Sequence, residues 1–167
     1  MEESRIILEA LNRNINENRA TITTYLGAEN RKEAFRGARF AINAIQVGGY
    51  EPCTVIDFEI PKKYGLRQTI GDTLGIGGIF RALRTIPVIL DIVEEMKELC
   101  PNAFLVSFTN PSGMVTESVI RYGKWNRCIG LCNVPIGAML KAYDAVDHVG
   151  PLIVHVSDHV IALQISR

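Results

Sequence analysis

Phe104-Leu105-Val106-Ser107-Phe108-Thr109-Asn110-Pro111 is a near-continuous apolar run that stops on a polar signature. The run predicts a strand over 103–109, apolar throughout because both faces of a parallel sheet are normally covered. Its polar end falls where ligands of open α/β sheets bind, just beyond the carboxyl ends of the strands. Two other segments repeat the pattern. Phe40-Ala41-Ile42-Asn43-Ala44-Ile45 runs into Gln46-Val47-Gly48-Gly49, and Cys128-Ile129-Gly130-Leu131 runs into Cys132-Asn133-Val134-Pro135. The three endings read as one edge of one site.

Outward from these runs, helices and strands alternate. Ile6, Ile7, Ala10, Leu11 and Ile15 have helical spacing within 3–18. Thr21-Ile22-Thr23-Thr24-Tyr25-Leu26, ending at Gly27, predicts a strand. A short helix over about 30–37 leads to the strand at 39–46. The stretch 47–76, with Pro52 and Pro61, shows little periodicity and reads as a long functional loop. Ile79, Leu83, Ile86, Leu90, Val93 and Met96 predict a helix over 77–99 that Pro87 kinks or splits. A helix follows from Ser112, another spans about 136–145, and 151–167 reads as β. Alternation of this kind indicates a parallel sheet with right-handed crossovers.

Composition limits the partners. The 167 residues carry 18 basic and 18 acidic side chains, and 47% are hydrophobic. That suffices for one core and gives no basic excess for nucleic acid or a membrane surface. No apolar run reaches the length of a membrane span, and Met1-Glu2-Glu3-Ser4-Arg5 is unlike a signal peptide. A cytoplasmic protein is expected. Cys53, Cys100, Cys128 and Cys132 form no paired zinc spacing and read as free thiols.

Five segments occur in order: Gly49-Tyr50-Glu51-Pro52, Gly71-Asp72-Thr73-Leu74-Gly75-Ile76-Gly77-Gly78, Arg81-Ala82-Leu83-Arg84-Thr85-Ile86-Pro87, Thr109-Asn110-Pro111 and Gly130-Leu131-Cys132-Asn133-Val134-Pro135. Together they resemble glycoside hydrolase family 4, the NAD- and manganese-dependent α-galactosidases and 6-phospho-glucosidases. The resemblance covers roughly residues 3–145. Gly-Tyr-Glu-Pro and Gly-Asp-Thr resemble the α-galactosidase branch, and Cys-Asn-Val-Pro the phospho-β-glucosidase branch.

The resemblance implies an α/β fold, an incomplete doubly wound, Rossmann-like parallel sheet lacking its first two strands. The chain opens where the helix after the second strand would lie, and no Gly-x-Gly-x-x-Gly follows a strand. In the order 3-2-1-4-5-6 the strand at 21–26 would be third and that at 39–46 fourth, with the missing pair between them. Residues 1–145 are thus expected to form a partial NAD-binding domain. Residues 146–167 are expected to form a divergent tail at the start of a missing C-terminal domain.

The resemblance also implies chemistry outside the usual two-carboxylate scheme. NAD oxidises the sugar at C3, a base removes the acidified C2 proton, the aglycone is eliminated, water adds, and the C3 ketone is reduced again. Manganese or another divalent metal polarises the C3 oxygen. Cys132 matches the family's thiolate ligand, the alternative being an ordinary free cysteine. His159 stands nearest the place of the second ligand, and a structural or surface histidine fits it equally. Asn110 and Asn133 match substrate-binding positions. Gln46, Gly48, Gly49, Asn110 and Pro111 would line the cofactor cleft, although Asn-Pro also suits a turn and Gly-Gly a tight bend. Asp72 is the candidate catalytic carboxylate, or a turn former. Arg81 and Arg84 could contact an anion or lie on the surface. Trp125 is expected to pack on the sheet.

Three functions are compatible with these readings. One is a glycosidase fragment acting on α-galactosides or 6-phospho-glucosides, homo-oligomeric at full length and not competent alone. The second is a non-catalytic piece that assembles with another chain. The third, a 2-hydroxy-acid dehydrogenase-like oxidoreductase, needs no cysteine at 132.

Overall fold

The computed structural model describes residues 2–134, 137, 140, 141, 144, 152–157 and 160–165. Helix α1 (Glu2–Ile15) is followed by extended chain, a single turn at Ala28–Asn30 and the short helix α2 (Arg31–Phe35). Strand β1 (Phe40–Asn43) leads through a wide helical turn, Gly49–Thr54, into α3 (Val55–Lys63). Helix α4 (Gly75–Leu99), strand β2 (Phe104–Ser107), helix α5 (Ser112–Arg121) and strand β3 (Cys128–Gly130) complete the main unit. Beyond it, β4 (Leu152–Ser157) and β5 (Val160–Ile165) pair as an antiparallel hairpin, in line with the β reading of the tail. Of the helix expected over 136–145, Gly137, Leu140, Lys141 and Asp144 are helical and the rest lies outside the described residues.

The sheet is open, three-stranded and parallel, in the order β1-β2-β3. Ala41 pairs with Leu105 and Leu105 with Cys128; one step on, Asn43 pairs with Ser107 and Ser107 with Gly130. Two crossovers of one hand, laid in one direction, place α4 and α5 on the same face. That face holds the core: Ile89, Val93 and Met96 from α4 and Val115 and Val119 from α5 close over Leu105 and Cys128. Trp125 joins this cluster and packs as expected. At Gly130 a side chain would run into Thr116 and Ser112, so glycine lets α5 approach the strand end closely.

The opposite face departs from expectation. Phe40 and Ile42 lie exposed on it, Ile42 at 78%, with Phe104 and Ile129 beside them. Apolar strand bodies predicted coverage on both faces, and the described helices supply it on one. Helix α1, which buries none of its residues, does not fill the gap.

Three further expectations are corrected. Residues 21–26 form no strand; their β-rich sequence finds no neighbouring strand, and an isolated strand leaves its backbone groups unpaired. The stretch 47–76 is not one loop but contains the Gly49–Thr54 turn and α3. Periodicity could not reveal α3, because its buried residues are Pro61 and the charged Asp57, which is 3% exposed and receives the Arg84 guanidinium of α4. Pro87 neither splits nor ends α4. It lies exposed on the same side as Leu83, so water can serve the carbonyl that loses its donor.

A second charged clasp ties α2 to α4. Arg31 Nε and Nη2 donate to the two carboxylate oxygens of Glu95 at 2.7 and 2.8 Å. The hydrogen bond from Arg31, helped by its charge, holds the Glu95 carboxyl below its ordinary value, against the effect of burial. A depressed carboxyl contributes stability above its unfolded value and loses it as pH falls through the folded one. Glu95→Gln is therefore expected to cost about 1 kcal/mol at neutral pH. The gap from wild type should close as pH drops below 4.5. Urea midpoints of the two proteins at several pH values test this, and a gap independent of pH would contradict it.

Candidate active site

All three parallel strands end on one edge of the sheet, and the polar signatures emerge there together. Past β1 the backbone turns at Gly48 and Gly49, with φ of +87° and +67°. A side chain on Gly48 would collide with Cys53, so that glycine is required by the packing of the turn. Gly49 faces open space, with nothing within 4 Å of where a Cβ would sit. The strand-end register is carried past β1 and β2: the Phe108 amide donates to Asn43 O at 2.7 Å, and Thr109 Oγ1 donates to Ile45 O at 3.0 Å.

Over this edge lies a cleft of about 480 Å³ whose walls include Gln46, Tyr50, Thr54, Phe58, Glu59, Asp72 and Arg81. Arg81 is its hub, with its side chain 12% exposed. Its Nε donates to Asn110 O at 3.2 Å, its Nη1 to Thr54 Oγ1 at 3.5 Å, and Nη1 lies 4.0 Å from Asp72 Oδ2. Asn110 Nδ2 donates to the same Asp72 oxygen at 3.4 Å. Gln46 Nε2 donates to Thr54 Oγ1 at 2.9 Å, and that hydroxyl donates to Gly49 O at 3.2 Å. One guanidinium thus joins the helical turn before α3 and the segment after β2 to the loop before α4. Behind it, hydrogen bonding to Asp57 holds the Arg84 guanidinium above its ordinary value, and burial opposes that.

The structure therefore brings together Gln46, Asp72 and Asn110 among the residues expected at the site. Pro111 follows a cis peptide and sits buried at the start of α5. Cys132 and Asn133 leave the end of β3, both exposed, with Sγ 4.0 Å from Asn133 Oδ1, and neither lines the cleft. His159 lies outside the described residues. Burial pushes the Cys100 and Cys128 thiols up, which leaves them poor thiolate donors and Cys132 the exposed sulfur of the strand ends.

The fit to cofactors is divided. Among the described residues no three His, Cys, Asp or Glu side chains converge as metal ligands. Cys132 presents one exposed sulfur, which by itself would give a metal a single ligand. The open backbone at Gly49 suits close approach by a flat ring. Among the described residues the Gly48-Gly49 turn is the glycine pair between a strand and a helix, and it lacks the Gly-x-Gly-x-x-Gly pattern of a dinucleotide pyrophosphate cradle. Sequence reasoning missed Thr54, which belongs to no motif, and undervalued Arg81. The signal for Arg81 was its place on α4, two turns after the Asp72 loop.

The comparisons agree with this geometry. The sequence profile of family 4 glycosyl hydrolase matches residues 2–148. An α-galactosidase of Bacillus subtilis is 53% identical over 133 residues, 80% of this chain and 30% of that enzyme. The 6-phospho-beta-glucosidase of Escherichia coli K12 is 46% identical over 116 residues, 70% of this chain and 25% of that enzyme. A 6-phospho-beta glucosidase structure from Thermotoga maritima, with manganese, NAD+ and glucose-6-phosphate, superposes with a TM-score of 0.76 at 31% identity. It covers 92% of this chain, which spans 36% of that one. No described helix is long and apolar enough to cross a membrane. A parallel sheet of this order, with its cleft at the strand ends and the profile matched across nearly the whole main unit, has one reading: the chain belongs to glycosyl hydrolase family 4.

Proposed function

We propose that this chain forms one wall of the active site of a cytoplasmic glycosidase that cleaves α-galactosides or 6-phospho-glucosides by oxidation at C3, loss of the C2 proton and elimination of the aglycone. The observation that carries the reading is the meeting of Asp72, Asn110 and Arg81, drawn from three separate segments, at the carboxyl edge of the parallel sheet. NAD would supply the hydride acceptor and a divalent metal such as manganese the Lewis acid. Gln46, Gly48, Gly49 and Asn110 would line the cofactor cleft, with the buried Pro111 fixing the strand end behind them. The Asn110 and Asn133 amides would hold sugar hydroxyls, and Asp72 would accept a hydroxyl proton or hydrogen bond. Cys132 would give the metal a thiolate and His159 a second ligand. Four free cysteines support a reducing compartment. The exposed sheet face supports association with further copies at full length.

In this reading the chain alone does not turn over, because the described residues hold one exposed thiol and no pyrophosphate cradle. A polypeptide extended to the length of its relatives is expected to hydrolyse a nitrophenyl α-galactoside or 6-phospho-glucoside only with both NAD and Mn2+. No net NADH should accumulate. Undiminished hydrolysis after both are stripped would overturn the proposal.

A second reading, a non-catalytic piece completed by another chain, draws on the uncovered face of Phe40, Ile42, Phe104 and Ile129. A mixed complex that leaves hydrolysis unchanged when Asp72 and Cys132 are replaced would favour it.

A further inference from the structure

We infer that the cleft takes an unphosphorylated glycoside, an inference that rests on the glycosidase reading and narrows it. The charges lining the cleft are two carboxylates, Glu59 and Asp72, against one guanidinium. That guanidinium is already committed: Arg81 spends Nε on Asn110 O and Nη1 on Thr54 Oγ1, and its charge lies 4.0 Å from Asp72. Tethered through Nε and Nη1 and only 12% exposed, it keeps Nη2 for a further acceptor, and a bidentate pair with a phosphate would compete with the bonds already made by Nε or Nη1.

The remaining carboxylate, Glu59, leaves the cleft net negative. Its ion pair with Lys62, at 3.5 Å between largely exposed side chains, offsets little of that charge. Lys62 and Arg67 line a separate depression on the far side of Phe58 and Glu59. A phosphate in the cleft would thus meet repulsion and no free cation among the described residues. A neutral sugar meets what it needs. Asp72 and Glu59 accept from hydroxyls, the Gln46 amide lies at the rim, and the Tyr50 and Phe58 rings offer apolar faces to its C–H surface.

The test is a titration of the isotope-labelled 167-residue chain by NMR with methyl α-galactoside, glucose 6-phosphate and inorganic phosphate at constant ionic strength. Saturable shifts at Thr54, Gly71 and Asp72 are expected with the galactoside at millimolar concentration. Glucose 6-phosphate should bind those positions at least tenfold more weakly, and any phosphate effect should be confined to residues near Arg67. Glu59→Lys is expected to raise affinity for glucose 6-phosphate at least tenfold. Glucose 6-phosphate binding the wild-type cleft as tightly as the galactoside would overturn this inference and leave the glycosidase reading standing. No cleft shift with either sugar would also overturn this inference, whereas the glycosidase reading falls only if the extended polypeptide fails its own test of NAD- and Mn2+-dependent hydrolysis.

Discussion

In an enzyme extended to the length of its relatives, Cys132→Ser is expected to lower manganese-dependent turnover by on the order of a hundredfold or more. The thiol stands exposed at the end of β3 with no structural bond to lose beyond its 4.0 Å contact with Asn133. Replacing sulfur by a hydroxyl therefore leaves the sheet intact while removing the proposed thiolate ligand. Bound metal, measured by elemental analysis, should fall with activity, and the melting temperature of the metal-free enzyme should not move. Full turnover with full metal content would return Cys132 to an ordinary surface thiol. Cys128→Ser, in the core and off the site, should show the reverse: lower stability and no specific loss of metal.

Leu105→Ala is expected to cost about 3 kcal/mol. Leu105 is 1% exposed on the central strand, enclosed by the buried residues of α4 and α5. The loss is a large part of the roughly 5–15 kcal/mol that holds a domain folded, and corresponds to a fall in Tm of about 6–12 °C. Trp125, the single tryptophan, lies in the same buried cluster and reports unfolding by fluorescence. Ile42→Ala, on the neighbouring strand but facing outward at 78% exposure, should change stability by less than about 0.5 kcal/mol. Equal losses in the two variants would mean that the sheet buries both faces in solution.

The parallel sheet was legible because β2 and its neighbours announce themselves by apolar runs with polar ends. The strand at 21–26 was misread for a reason local sequence cannot supply: Ile22 and Tyr25 have β propensity, but a strand exists only with a partner. Helix α3 stayed hidden in an apparent loop because the Asp57–Arg84 pair holds it, and partners 27 residues apart leave no local trace. Asp72 and Asn110 could be picked from motifs. Their joining through Arg81 could not, since it depends on α4 running unbroken through Pro87 above the strand ends.

The most direct test of the central claim is hydrolysis in D2O by the relative-length enzyme containing this chain. If the C2 proton is removed during the reaction, the released sugar carries deuterium at C2, in amount equal to product formed. Asn110→Ala should lower kcat more than it raises KM, because the proposed hydrogen bonds to the sugar would strengthen as charge develops on its oxygen. Product with protium alone at C2 would contradict the redox-elimination account and leave the sheet and its cleft to a different chemistry.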